Sequence, residues 1–313
     1  MKLAGIFSFS SGGSASSPVS SWRARLLKPA LGVALALGAA SSMAAGPTTM
    51  KIGTVVWIGY GPFYVAEALD LYKKYNLKVS LQVFNDPALI PAAIASGAVD
   101  GGMLTYDQVV GQVAAGRAMK VVMPIDYSNG GDAIVADGSI TKVADFKGKK
   151  IGYNPLSPSD FLLSYALKTV NLTEKDITPV SMTPEAVPAA MASGQLPIGV
   201  TYEPSLSQIL GQGGGKKFKV VFSSKNAPGL IADVLVFDDK VIKAKPNEIT
   251  GIMKAYLDGM AYMKAKPAEA NKIIGKFMGV SAAEVKEQLS GVYNIPLAEM
   301  PKAFLPAKET TSY

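Results

Sequence analysis

The sequence predicts an α/β protein of two lobes that share one internal plan, with a ligand cleft between them. Three observations predict it. From Lys51 onward, short runs rich in β-branched residues alternate with helix-length segments. The stretch "PAAIASGAVDGGMLTYDQV" at 91–109 returns in altered form as "PAAMASGQLPIGVTYEPSL" at 188–206. After about residue 228 the alternation gives way to helical segments. Alternating β and α units argue for parallel sheets covered by helices, and a plan used twice gives two Rossmann-like lobes.

Taken in order, "KIGTVVWI" reads as a strand and "PFYVAEALDLYKKY" as a helix with Pro62 in its first turn. A strand "LKVSLQVF" (77–84) and a helix "DPALIPAAIASG" follow, the helix stopped by Gly97. Next come a strand "VDGGML", a helix from Tyr106 and a strand "KVVMPIDY" (120–127). The order then recurs: "KKIGYN", a helix at 158–170, "ITPVSM", a helix at 184–193, "PIGVTY", a helix at 204–211, and "FKVVFSS". Beyond 228 lie "ADVLVFDDKVI" and helices at about 246–265, 268–278 and from 281, punctuated by Pro246 and Pro267. This helical tail is expected to pack back on the first lobe. The lobes are then 45–132 with 229–313, and 133–228, crossed by two hinge segments near 129–137 and 229–238.

Each copy of the repeated stretch reads as helix, Gly stop, strand, then Thr-Tyr and an acid at the strand's end. Ligands of open α/β sheets sit beyond the carboxyl ends of strands, so two such corners facing each other would form matched walls. Tight helix–strand packing also reuses Ala, Ser and Gly, which accounts for the first half of the repeat but not for Thr-Tyr-acid. The second copy is one residue shorter between its Ser-Gly and its Thr-Tyr.

With 49% hydrophobic and 18% charged residues in 313, the composition is globular. The opening segment departs from it. Arg23, Arg25 and Lys28 precede the apolar run "PALGVALALGAASSMAAG", which ends in small residues. Residues 1–44 therefore read as an export leader cleaved near Ala44/Ala45, since the run is short for a bilayer span. The leader holds Lys2, Arg23, Arg25 and Lys28 and no acid, so without it the formal charge falls from +7 to +3. That balance gives no reason to expect nucleic acid. No cysteine means no disulfide and no lipidated N-terminal Cys, and no histidine excludes Ser-His-Asp nucleophile systems and the usual zinc sites. No metal or cofactor is expected, whereas carboxylate, Lys or Tyr chemistry stays open.

The segments "WIGYGPFYVAEALDLYKKYNLKVSLQVF" (57–84), "IASGAVDGGMLTYD" (94–107), "IDYSNGGDAIVA" (125–136), "VADFKGKKIGYN" (143–154), "FLLSYALKTVNLTEKDI" (161–177) and "AAMASGQLPIGVTYEP" (189–204) carry a resemblance. In their order and spacing the chain resembles type II periplasmic substrate-binding proteins of ABC importers, in the nitrate/sulfonate/taurine branch that includes thiamine-pyrimidine binders. The resemblance implies a soluble periplasmic monomer that closes two lobes on a small molecule and delivers it to a permease driven by a cytoplasmic ATPase. A binding module feeding a sensor is the alternative, and an enzyme on the same scaffold the least favoured. Relatives usually continue through further helices where this chain reads "FLPAKETTSY", as in a naturally short or a truncated member.

Candidate ligand residues follow from the strand ends. Trp57 and Tyr60 lie in a Gly-containing loop before a helix N-terminus, where an aromatic could stack on a planar or cationic ligand or simply cap the core. Thr105 and Asp107 mark the first corner, both also suited to helix capping and the helix dipole. Tyr202 and Glu203 mark the second, and relatives carry a binding residue near that point. In "IDYSNGGD", Asp126 and Asp132 flank a turn whose Asn and Gly have backbone uses of their own. Ser157 and Ser159 precede a helix, as grip or as cap. These motifs hold acids and no base, which favours a solute with a cationic or N–H-donating group over a bare anion such as nitrate or bicarbonate. An amine, a guanidine-like compound, a zwitterion such as taurine, or an aminopyrimidine would serve.

Overall fold

The structure, a computed structural model, describes residues 46–304. The leader and the cleavage point near Ala44/Ala45 lie outside the described residues, as do residues 305–313. In chain order the elements are β1 (Thr48–Thr54), α1 (Gly61–Ala68), β2 (Leu77–Val83), α2 (Ile90–Ser96), β3 (Gly101–Thr105), α3 (Tyr106–Ala114) and β4 (Met119–Ser128). They continue with β5 (Asp132–Asp137), β6 (Lys150–Tyr153), α4 (Pro158–Thr169), β7 (Thr178–Ser181), α5 (Val187–Ala192), β8 (Ile198–Tyr202), α6 (Ser205–Gly211) and β9 (Phe218–Ser223). Last come β10 (Ala232–Asp238), α7 (Asp239–Ala244), α8 (Pro246–Ala265), α9 (Pro267–Met278), α10 (Ala282–Gln288) and β11 (Val292–Asn294).

Two sheets result, ordered β2-β1-β3-β10-β4-β11 and β7-β6-β8-β5-β9. The plans match strand for strand apart from the extra edge strand β11. The expectation of parallel sheets needs correction: β1 runs parallel to β2 and β3, and β6 to β7 and β8, but β10 and β5 run antiparallel to both neighbours. These two odd strands are the ones by which the chain changes sheet. A chain that leaves one sheet at the carboxyl end of its strands enters the next from that same end, so it must run the opposite way. The crossing segments expected at 129–137 and 229–238 are accordingly shorter. Residues 132–137 and 232–238 lie inside the sheets, leaving 129–131 and 224–231 between them.

The two crossings run side by side. Ser128 N–H donates to the Ile231 carbonyl at 2.9 Å, the Ser128 and Ser224 hydroxyls meet at 2.8 Å, and Gly130 N–H donates to Ser224 Oγ at 2.8 Å. The tail adds a third thread, because the Gly291 carbonyl accepts from both Asn129 N–H (2.8 Å) and Gly131 N–H (3.0 Å). Gly131 has no alternative there: a Cβ would stand 2.6 Å from Trp57 Cη2 and 3.0 Å from the Gly291 oxygen.

The tail packs on the first sheet's side. Phe277 of α9 stacks on Tyr64 of α1 at 3.8 Å between ring centres, and Tyr256 of α8 donates to the Ile125 carbonyl at 3.0 Å. The helix expected over 62–75 breaks at Asp70, which turns left-handed (φ 54°) and leaves only a 3-10 turn at Leu71–Tyr75. Among the described residues no helix is long and apolar enough to cross a membrane.

Candidate functional site

The repeated corners share their backbone chemistry up to the strand. Gly97 and Gly194 both take the left-handed conformation (φ 75° and 77°) that ends a helix without a Cβ penalty. Ala98 and Val99 N–H both donate to the Ala93 carbonyl, as Gln195 and Leu196 N–H do to that of Ala190. Ser96 and Ser193 each donate back to the carbonyl three residues earlier.

At the strand end the sequence echo and the structural repeat part by one residue. In the sheet, Gly102 pairs with Gly53 and Val236, and Gly199 with Gly152 and Val135, which fixes Gly102 and Gly199 as counterparts. Counting on, Thr105 is the counterpart of Tyr202, not of Thr201. Thr105 faces Asp233 on β10 and Tyr202 faces Asp132 on β5. Strand side chains alternate between faces, so a shift of one residue reverses a side chain's direction. Tyr106 is thus 51% exposed at the start of α3, while Tyr202 is 4% exposed and packs into the apolar cluster of the first sheet. The matched Thr-Tyr-acid walls expected from the sequence do not form.

What forms instead is a small cavity between the sheets, about 20 Å³, room for roughly one water. Trp57, Tyr60, Thr105, Gln108 and Asp233 line it from the first sheet's side, and Asp132, Pro158 and Tyr202 from the second's. Trp57 and Tyr202 meet edge to face across it, 5.9 Å between ring centres. Gln108 of α3 ties the rims together, donating to the Pro87 carbonyl (3.4 Å) and to that of Leu156 (3.2 Å).

The electrostatics of the cavity are one-sided. Asp126, Asp132 and Asp233 are all buried. Burial pushes the Asp132 carboxyl up to about 7 despite the Ser128 hydroxyl, with the charges of Asp107 and Glu203 raising it further. Asp126 and Asp233 stand opposite each other on β4 and β10. Trp57 Nε1–H donates to Asp126 Oδ1 at 3.2 Å, and the Tyr60 hydroxyl donates to Asp233 Oδ1 at 2.5 Å. Asp126 Oδ2 is buried and has no hydrogen-bond partner among the described residues. Burial raises both carboxyls, and the charge of Asp126 raises Asp233 further. Among the described residues no lysine or arginine lines the cavity. The five ion pairs found among the described residues, such as Lys74–Asp258 and Lys245–Asp100, lie elsewhere and include none of these acids.

Of the residues expected from the sequence, Trp57, Tyr60, Thr105, Asp132 and Tyr202 come together at the cavity, and Asp126 sits just behind Trp57 and Asp233. The others do not line it. Glu203, one residue before the N-cap Pro204, holds the first turn of α6, accepting from Ser207 N–H (3.0 Å) and the Ser207 hydroxyl (2.8 Å). Ser157 caps α4 by accepting from Ser159 N–H at 3.2 Å, and the Ser159 hydroxyl is buried beside it. Asp107 occupies the first turn of α3, with burial raising its carboxyl.

Asp233 and Gln108 were not anticipated. A signal for Asp233 is present: "DAIVAD" at 132–137 returns as "DVLVFD" at 233–238, each the full length of a crossing strand from its first Asp. The two closing acids even share a turn, Asp137 accepting from Ser139 N–H and Asp238 from Lys240 N–H. Gln108 stands three residues after Thr105, the spacing of a capping box, whose hydrogen bond to Thr105 N–H is present at 3.2 Å.

Comparison with known proteins places this geometry in context. Residues 57–270 match the sequence pattern described as NMT1/THI5 like. The fold is similar to that of the periplasmic aliphatic sulphonate binding protein SsuA from Escherichia coli, with TM-score 0.68 and 21% identity over 84% of this chain and 88% of that one. It is similar too to the alkanesulfonate-binding protein SsuA from Xanthomonas axonopodis bound to MOPS, with TM-score 0.69 and 20% identity over 81% and 88%. The taurine-binding periplasmic protein of Escherichia coli is 24% identical over 212 residues, 66% of this chain and 64% of that one.

Proposed function

The chain belongs to the NMT1/THI5-like family, and from that premise we propose that it is the solute-binding component of an ABC importer, acting in the periplasm as a monomer. Its two lobes close on a small polar solute and present it to a membrane permease worked by a cytoplasmic ATPase. The observation that carries this reading is the cavity itself. It lies beyond the carboxyl ends of strands from both sheets, and its wall is complete only where the lobes meet. A cavity of about 20 Å³ takes one small group, so a solute enters by parting the lobes, with the segments 129–131 and 224–231 as the place of bending. The proteins of similar fold that are named for sulfonates and taurine support a small-solute role. We read the chain as a binder and not an enzyme: strand-end carboxyls and tyrosines surround a closing gap, and no bond need be made or broken for capture.

A thermal-shift screen of small solutes tests the reading, with amines, guanidines, aminopyrimidines, sulfonates, nitrate and bicarbonate as the panel. A ligand present at a hundredfold excess over its Kd stabilises the folded state by about 2.7 kcal/mol. A hit is expected to be accompanied by a fall in radius of gyration in solution scattering. A panel without any hit would remove the reading.

A further inference from the structure

We propose that the solute is a small planar cation with N–H donors on opposite edges, of amidinium or guanidinium type, held between Asp132 of one lobe and Asp233 of the other. The proposal rests on the solute-capture reading above and deepens it. Three independent features point the same way. The two acids line one cavity from different sheets, each near the start of a crossing strand, and each faces the last residue of the strand beside it, Tyr202 and Thr105. Among the described residues no Lys or Arg lines the cavity and no ion pair involves either acid. Tyr202, 4% exposed, lines the same cavity with a hydroxyl that has no partner.

The sign of the solute follows from desolvation. An anion shut beside these carboxyls would lose its water and gain repulsion, whereas a cation supplies the charge and the donors that the wall lacks. Its shape follows from the placement of the acceptors. Two carboxyls contributed by separate walls suit a group that donates from two edges, and a delocalised planar cation pairs with carboxylate side-on as a compact ammonium cannot. Trp57, Tyr60 and Tyr202 give aromatic surface in the same wall, which favours a weakly hydrated cation. A divalent metal is a poorer fit, because among the described residues no three acids converge on a common point.

The experiment uses the full chain, with acetamidinium, guanidinium, methylammonium, nitrate and methanesulfonate as probes at millimolar concentration and matched ionic strength. Acetamidinium and guanidinium are expected to raise Tm and to give measurable heats of binding. Asp132→Asn and Asp233→Asn, which keep the size and one acceptor oxygen, are each expected to weaken that binding by about tenfold or more, the worth of a charge-assisted hydrogen bond. Tyr202→Phe, which removes only the hydroxyl, is expected to weaken it several-fold and keeps the test open should an Asn variant fail to fold. Binding of nitrate or methanesulfonate but of no cation would overturn the charge assignment and leave solute capture standing. Methylammonium binding as tightly as acetamidinium would overturn the planar class. Asn variants that bind acetamidinium as the wild type does would remove the clamp. No response to any of these probes, together with a blank wide panel, would overturn both readings.

Discussion

The two corners of this molecule begin alike and end differently. Both stop a helix with a left-handed glycine and both return through a strand whose second residue is glycine, yet one ends in Thr105 and the other in Tyr202 at the same place in the sheet. The shared half builds the sheet; the differing half lines the cavity. The two sheets offer a frame with two equivalent positions, and the side chains at those positions differ. The tyrosines that look equivalent in the sequence are not equivalent in space.

The hardest blow to this comparison is truncation of the tyrosines. Tyr202→Ala is expected to lower stability by about 3–5 kcal/mol, since a buried aromatic is lost at the lobe contact, and to abolish binding of whichever solute the screen identifies. Tyr106→Ala is expected to change neither by more than about 0.5 kcal/mol. Chemical denaturation and calorimetry on both variants decide it, and equal effects would restore the sequence echo as the true repeat.

The acids sharpen it next. A carboxyl whose folded pKa is raised keeps a proton that the unfolded chain gives up, so stability falls as pH climbs from the ordinary carboxylate value towards the raised one. Asp132, pushed up to about 7, makes that window roughly pH 4 to 7, with a loss of about 1.4 kcal/mol per pH unit for each proton involved. No histidine titrates there. Asp126 and Asp233 add to the loss, while Tyr60, Tyr64, Tyr202 and Tyr256, all raised by burial, stay neutral throughout. Unliganded protein is expected to melt higher at pH 5 than at pH 8, and Asp132→Asn to flatten that slope by about one proton's worth. A slope that rises with pH would contradict the burial of these groups.

Smaller effects are expected at the matched glycines. A Cβ on Gly102 would stand 2.7 Å from Ile90 Cγ2, and one on Gly199 would stand 2.7 Å from Met191 Sδ and closer still to Val187. Each Gly→Ala variant should cost about 1–3 kcal/mol by overpacking, and similar costs would support their equivalence. Smallest is Glu203→Ala, which removes the acceptor for the first turn of α6 for about 1 kcal/mol and leaves solute binding intact. A loss of binding would return Glu203 to the site.

Periodicity made most of the fold legible. Strands β1 to β4 and β6 to β9 fall within about four residues of their expected bounds, because one face of each helix and the glycine stops show through. The crossing strands were harder. Residues 132–136 and 233–237 are all buried, so "DAIVA" and "DVLVF" lack the alternation of a half-buried strand and sit next to turn-like sequence. Strand β11 has three residues and is held by the edge of β4 alone, which no pattern announces. In the site, Trp57, Tyr60 and Asp132 were readable as chemistry at strand ends. Asp233 was not, because its partners Tyr60 and Asp126 lie more than a hundred residues away in the chain. Glu203 and Ser157 were readable as polar groups at helix starts, and the helices took them.

The two crossing strands differ in what they complete. All five strands of the second sheet come from one unbroken stretch, residues 132–223, whereas the first sheet needs 232–238 between β3 and β4. A growing polypeptide therefore holds β1 to β4 with an open slot until the whole inserted lobe has been made. Maturation must proceed from the middle of the chain outward, and a nascent product that stalls before residue 232 would expose two unpaired strand edges to aggregation or to a chaperone.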